Sequence, residues 1–259
     1  MRKNDFRYIY GPVPSWRLGA SLGIDLLCSR RKICTFDCIY CQLGKTSRFT
    51  TKPNIKVKTS EIIAELERLP RVNIDYITFS GRGEPSLVKD LGRVIRAVKR
   101  LDLAPVAVLT NSSLIDQVEI RENLSPADFV VCKLDAYSQD SLERINQPAK
   151  TIRFEKIIQG IKMFKKYFKG KLALQMMFIE QNKNCAQRLA ELARQINPTE
   201  VQINTPLRPC KVSPLTREEI ARIKEYFYGL HFISVYDIQP KKVSALSKKE
   251  TLQRRGKII

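Results

Sequence analysis

The amino-acid sequence predicts an α/β protein built around a mostly parallel sheet, on three observations. Short apolar runs alternate with longer amphipathic ones along the 259 residues, as repeated β-α units do. Each apolar run is rich in Val, Ile, Phe or Leu, the composition of strands covered on both faces. Hydrophobic residues make up 43% of the chain, enough for the core of one large domain or two small ones.

Taken in order, the candidate strands are residues 22–27, 75–80, 105–110, 128–134, 171–179 and 200–204, giving six β-α units. A further strand at 231–238 is placed to close or flank the sheet. Between them lie amphipathic stretches at 59–69, 87–101, 139–145, 153–168, 185–196 and 216–227. Two helix starts carry capping signals: Thr59 precedes Ser60 and Glu61, and Thr216 stands three residues before Glu219. Each threonine is able to accept an otherwise unpaired backbone N–H of a first turn. No internal repeat, low-complexity tract or long linker interrupts the pattern, so residues 1–238 read as one core domain and 239–259 as a basic tail.

In parallel α/β architectures ligands gather at the carboxyl ends of strands, and unusual residues stand there. After the first strand comes Cys34-Thr35-Phe36-Asp37-Cys38-Ile39-Tyr40-Cys41, three thiols spaced four and three residues apart with an aromatic residue before the last. So tight a loop of thiolates can hold a cubane iron-sulfur cluster and leave its fourth iron to a partner from outside the protein. Structural zinc is the alternative: it wants four protein ligands, and Cys28, six residues upstream, is available as the fourth. A disulfide framework is disfavoured, since a chain of this length needs no staples and seven cysteines leave one unpaired.

The second strand runs into Phe79-Ser80-Gly81-Arg82-Gly83-Glu84-Pro85, where two glycines allow a tight turn with exposed backbone and Glu84 supplies a carboxylate. The third ends in Thr110-Asn111-Ser112-Ser113 and the fourth in Lys133-Leu134-Asp135-Ala136. The sixth ends in 202–209, where Asn204 and Arg208 are candidates to face a substrate opening, Arg208 as a two-pronged clamp for phosphate or carboxylate. Other apparent motifs fail: Gly44-Lys45-Thr46 lacks the glycine a phosphate loop needs at position 39, and the single histidine, His231, begins an apolar strand. Cys28, Cys132, Cys185 and Cys210 are isolated, as ordinary buried thiols are.

The CxxxCxxC spacing with Tyr40 before the third cysteine resembles the signature of the radical S-adenosylmethionine (SAM) superfamily. The resemblance implies a partial (β/α)6 TIM-like barrel, in agreement with the six units counted above. It implies that Cys34, Cys38 and Cys41 hold a 4Fe-4S cluster and that the amino and carboxylate groups of SAM fill the open iron. The 81–85 turn resembles the family's GGE-type segment, which implies that Gly81, Gly83 and Glu84 contact the ammonium end of SAM. Asn111 and Asp135 are then candidates for its ribose or carboxylate, and Phe36 and Tyr40 for packing on the cluster or adenine. Gly11-Pro12-Val13-Pro14-Ser15, Cys41-Gln42-Leu43-Gly44, Arg144-Ile145-Asn146-Gln147-Pro148 and 202–209 look like the group related to wyosine synthase, which builds a tricyclic base in tRNA. The chain departs from that enzyme in lacking a second closely spaced cysteine set, so only the radical-generating site is carried over.

Lys and Arg outnumber Asp and Glu by 46 to 26, a formal charge of +20 that favours polyanions through counterion release. Seven basic residues against Glu250 alone between Lys241 and Lys257 sharpen the bias, although the alternatives are a solvated lysine-rich surface for the charge as a whole and a merely disordered end for the tail. RNA, tRNA in particular, is therefore the candidate partner, and a one-electron donor such as flavodoxin or ferredoxin is implied by the chemistry. No apolar run approaches the roughly 20 residues of a membrane span, and Met1-Arg2-Lys3-Asn4-Asp5 opens no signal peptide, so the protein is expected to be cytoplasmic. Two other readings stay open: a zinc-stabilised nucleic-acid-binding protein without catalysis, and an activase that installs a radical on a partner protein.

Overall fold

A computed structural model describes residues 6–255. The first five residues, read above as free of a signal peptide, and the last four, with Lys257 of the basic tail, lie outside the described residues.

Eight strands form one sheet in the order β1-β2-β5-β6-β7-β8-β9-β10. They are β1 (Ile9–Ser15), β2 (Gly19–Ile24), β5 (Tyr76–Phe79), β6 (Val106–Thr110), β7 (Phe129–Lys133), β8 (Lys171–Met177), β9 (Glu200–Asn204) and β10 (Phe232–Ser234). From β2 to β10 every pairing is parallel, and β1 alone runs antiparallel, as a hairpin with β2. A second ladder of two-residue strands, β3 (Ile33–Cys34) and β4 (Arg48–Phe49), frames the cysteine loop. The expected α/β half-barrel is therefore present, and the strand expected at 231–238 does flank the sheet, as β10 parallel to β9.

Helices α1 (Thr59–Glu67), α2 (Leu91–Lys99), α3 (Val118–Leu124), α4 (Gln139–Asn146), α5 (Phe154–Tyr167), α6 (Ala186–Ile196) and α7 (Arg217–Glu225) follow the parallel strands along the chain. α5 shows why they stay there. Phe154, Ile157, Ile158, Ile161 and Phe164 recur at helical spacing and are all buried, with lysines on the remaining face. One set of alternate strand residues, including Leu22, Ile24, Ile77, Val108, Val130, Leu174 and Ile203, packs against these helices. The opposite set, Ala107, Phe129, Val131 and Ala173 with Leu18 and partly buried Tyr76 and Leu109, forms a separate cluster on the inner face. Both faces are thus covered, which is why the strands read as continuous apolar runs.

Thr216 caps α7 through a complete capping box with Glu219. Thr59 does not cap α1: Lys58 occupies that position, in extended backbone and without a side-chain cap, and Thr59 is already the first helical residue. The polar α3 and the strand β1 were not foreseen. Pro12 and Pro14 mask β1, and proline is tolerated there because β1 is an edge strand.

Part of the basic segment is ordered into α8 (Lys248–Arg255), which lies against β1. The Gly11 N–H donates to Thr251 Oγ1 at 3.1 Å, and the Gly11 carbonyl accepts from Leu246 N at 2.6 Å. Arg254 is buried, donates to the Arg7 carbonyl at 2.6 Å and stands 3.5 Å from Asp25. Backbone groups of an edge strand that solvent or another chain would otherwise claim are thereby satisfied.

Candidate metal and cofactor site

The carboxyl ends of the parallel strands carry the residues that the sequence singles out. Directly after β2 the chain turns through Asp25 into the cysteine loop, which hydrogen bonds of its own hold closed. Cys41 N donates to the Cys38 carbonyl and Gly44 N to the Cys41 carbonyl, both at 3.0 Å. Thr46 donates through its N–H to Asp37 Oδ1 at 2.6 Å and through its hydroxyl to the Phe36 carbonyl at 2.6 Å. The loop is also strapped to the end of α4: Asp37 N and Ile39 N donate to the carbonyls of Asn146 and Ile145, and Ala149 N to that of Thr35. Here the 144–148 segment, noted only as a point of resemblance, acquires a structural part.

The Gly81–Glu84 turn is paired with the same loop. Ile33 N donates to the Arg82 carbonyl at 3.1 Å and Glu84 N to the Ile33 carbonyl at 3.2 Å. Gly81 and Gly83 have φ of +144° and +152°, and a Cβ on Gly83 would run into the Ile33 carbonyl oxygen. Glycine is therefore required at position 83 both by backbone conformation and by the close approach of the cysteine loop.

Glu84 is buried, and both its carboxylate oxygens are engaged. Oε1 accepts from Ser86 N at 3.0 Å and from Thr110 Oγ1 at 2.7 Å, and Oε2 from Asn111 N at 2.7 Å. Burial pushes its carboxyl up, against these donors. Asn111 in turn donates to Thr35 Oγ1 at 2.7 Å and to Cys34 Sγ at 3.5 Å. Asp135 is equally occupied: Oδ1 accepts from Met177 N at 2.7 Å, and Oδ2 from Asn146 Nδ2 at 2.8 Å and from the Tyr40 hydroxyl. Asn146 also donates to Cys38 Sγ at 3.4 Å, and Lys133 lies 4.8 Å over the Tyr40 ring and 3.3 Å from Asp135. Six of the residues expected at the site, Cys34, Cys38, Tyr40, Glu84, Asn111 and Asp135, thus fall into two hydrogen-bonded knots, one under each of two cysteines.

Sequence reasoning overlooked Lys32. Its side chain is buried, with the amine 3.2 Å from the Gly44 carbonyl and 3.5 Å from Asp37. Burial pulls the amine down, but the sulfurs of Cys41, Cys34 and Cys38, when ionised, together raise it. One buried amine is therefore held within the cysteine loop by Gly44 and Asp37, and it brings positive charge to a loop whose thiolates would carry the opposite sign. Burial, followed by the Glu84 carboxylate, pushes the Cys34 thiol up to about 12.

Among the described residues no three His, Cys, Asp or Glu side chains converge on a single point. Cys28, the fourth thiol of the zinc alternative, is turned away, donating to the carbonyls of Asp25 at 2.9 Å and Arg7 at 3.2 Å. The donor set thus fits a cluster with three protein ligands: three loop thiols, amide donors aimed at two of them, and one buried amine. Beside the loop lies a cavity of about 180 Å³ whose walls include Cys38, Cys41, Gln147, Cys210 and Lys211. Of the outlying candidates, Asn204 is buried and accepts from Thr205 N, while half-buried Arg208 donates to the Arg255 carbonyl at 3.0 Å.

Residues 30–193 match the Radical SAM superfamily. The chain belongs to the radical SAM superfamily. It is accordingly an enzyme whose cofactors are a 4Fe-4S cluster and SAM. A UPF0026 protein of Synechocystis is 39% identical over 255 residues, covering 98% of this chain and 92% of that one. A UPF0026 protein of Methanocaldococcus jannaschii is 34% identical, covering 84% of this chain and 70% of that one. In fold, this radical SAM chain is similar to Streptococcus suis SuiB crystallised with SAM, with a TM-score of 0.61 at 17% identity. The match covers 84% of this chain and half of SuiB, 50%. Among the described residues no helix is long and apolar enough to cross a membrane.

Proposed function

We propose that this chain is a radical SAM enzyme that modifies an RNA, with Cys34, Cys38 and Cys41 as the cluster ligands. The carrying observation is the CxxxCxxC loop with Asn111 and Asn146 aimed at two of its sulfurs. When bound, the cluster and SAM supply an electron and, by reductive cleavage of the sulfonium, methionine and a 5'-deoxyadenosyl radical.

The protein's own part is placement and protection. Gly81 and Gly83 present backbone at the edge nearest the cysteine loop, where the ammonium end of SAM is held. Glu84 fixes that turn, and its Oε2, with one protein donor, keeps capacity for a further one. Asn111 and Asn146 donate to cysteine sulfurs, and such donors tune a cluster's potential. Asp135 holds Tyr40 and Asn146 in place, so that it acts by positioning, and the covered inner face keeps water from a reactive carbon centre.

RNA as substrate is supported by the formal charge of +20 and by the resemblance to the group related to wyosine synthase. A cytoplasmic setting, a flavodoxin or ferredoxin as donor, and the division into a core at 1–238 and a basic tail at 239–259 belong to the same proposal. Anaerobic reconstitution followed by reduction with SAM tests it: 5'-deoxyadenosine should form, and co-purifying RNA should be shed as salt rises. No product under any reductant removes the enzymatic reading. Zinc at one equivalent with no iron favours the non-catalytic nucleic-acid-binding protein.

A further inference from the structure

The last turn of α8 reaches both ends of the sheet at its carboxyl edge. Thr251 Oγ1 accepts from Gly11 N of β1 at 3.1 Å, and Arg254 donates to the Arg7 carbonyl, just before β1, at 2.6 Å. One residue further on, the Arg255 carbonyl accepts from Arg208, in the segment after β9, at 3.0 Å. In a flat sheet six strand spacings would part β1 from β9 by about 29 Å, whereas the residues from Thr251 to Arg255 rise only about 6 Å along a helix. The sheet is therefore curled until one helical turn and one arginine side chain span its open side. The same turn touches the candidate site. The Gln253 carbonyl accepts from Arg82 Nε at 2.7 Å, and Arg82 also donates to the Arg30 carbonyl ahead of the cysteine loop.

What holds α8 there is weak for so central a place. Apart from Thr251 and Arg254 none of its residues is buried, and Leu252 is exposed. With little apolar area removed from water, the hydrophobic contribution is small. The polar contacts are also incomplete. Arg254 Nε and Asp25 Oδ2 stand 3.5 Å apart, sealed from solvent, yet neither makes a hydrogen bond. One terminal nitrogen of Arg255 is sealed and unpartnered as well. Each buried group left in this condition works against the docked state. Elements with few buried apolar contacts open at lower free energy than the core, and this one lies across the open side of the half-barrel.

We propose that α8 is a reversible strap: docked, it closes the open side of the half-barrel, and released, it gives access to the inner face. Arg82 links its position to the Gly81–Glu84 turn, so that SAM held there favours docking, and docking favours SAM by the same factor. The closure rests on the contacts of α8 alone. Its link to SAM rests on the proposed place of the cofactor at that turn.

Hydrogen exchange read by mass spectrometry on the full chain, loaded anaerobically with its cluster, tests the strap with and without SAM. The amides of α8 should exchange together, at least about tenfold faster than those of β2, and saturating SAM should slow them at least about fivefold. Exchange as slow as in β2 overturns the inference. So does exchange graded inward from Arg255 and indifferent to SAM, which is only the fraying of a helix end. Thr251→Pro supplies the second test, because proline inside a helix breaks it and the Gly11 partner is lost. In equilibrium dialysis this variant should bind SAM at least about fivefold more weakly, with the thermal midpoint of the iron-free protein unchanged. Unchanged SAM affinity overturns the coupling, and a lowered midpoint makes α8 part of the core and overturns the strap. Undiminished SAM affinity in Gly83→Ala would instead remove the proposed place of the cofactor, so either reading can fail alone.

Discussion

The inner face of the sheet and the loops at its carboxyl edge solve opposite problems with the same strands. Inside, Leu18, Ala107, Phe129, Val131 and Ala173 pack without a polar atom to place, and their contribution comes from burial. At the edge, Glu84 and Asp135 are as deeply buried as those apolar side chains, yet each is surrounded by donors. A buried carboxylate without partners costs several kcal/mol, so the edge tolerates these two carboxylates because every oxygen of theirs accepts from at least one donor. Stability belongs to the inner face and chemistry to the edge, and substitutions should separate the two.

The sharpest separation is expected from Cys38→Ala, which should abolish both iron incorporation and 5'-deoxyadenosine formation while the melting temperature of the iron-free protein stays near that of the parent. Iron analysis and product chromatography read the first effect and circular dichroism the second; retained iron with full turnover would break the comparison. On the inner face Phe129→Ala should cost about 3–5 kcal/mol in denaturant unfolding, with iron stoichiometry unchanged in the folded fraction. Gly83→Ala joins the two regions. Its positive φ and the Ile33 carbonyl force the turn away from the cysteine loop, so we expect a loss of about 1–3 kcal/mol together with reduced SAM affinity in equilibrium dialysis. Asn146→Ala should leave the cluster in place but make its reduction potential more negative, since one donor to a cysteine sulfur is lost; redox titration followed by electron paramagnetic resonance measures the shift. The smallest effect belongs far from both regions: Thr216→Ala removes the α7 capping box and should cost about 1 kcal/mol with no change in turnover.

Much of this division was legible in the sequence, because apolar periodicity and cysteine spacing are local signals. The strand at 200–204 was read to its observed bounds, and the cysteine loop and the Gly81–Glu84 turn were placed at one edge. What escaped was long-range. Lys32 lies two residues before Cys34 and has no motif of its own; its part emerges only once the loop folds over it. Asn146 reaches Cys38 across 108 positions, and no spacing rule connects them. Prolines hid β1, and the charge that marked the basic segment also concealed a helix, since α8 buries only Thr251 and Arg254. The misplaced cap of α1 has a smaller cause: a threonine beside a helix start does not show which of two adjacent residues leaves the extended backbone.

The stitching of α8 to β1 also bears on the order in which the molecule is completed. Gly11 emerges early in synthesis, but its lateral partner Thr251 follows 240 positions later. Until then β1 offers an open flank on which another nascent chain can pair. Cover of the β1 edge by α8 therefore waits until residue 251 has been made.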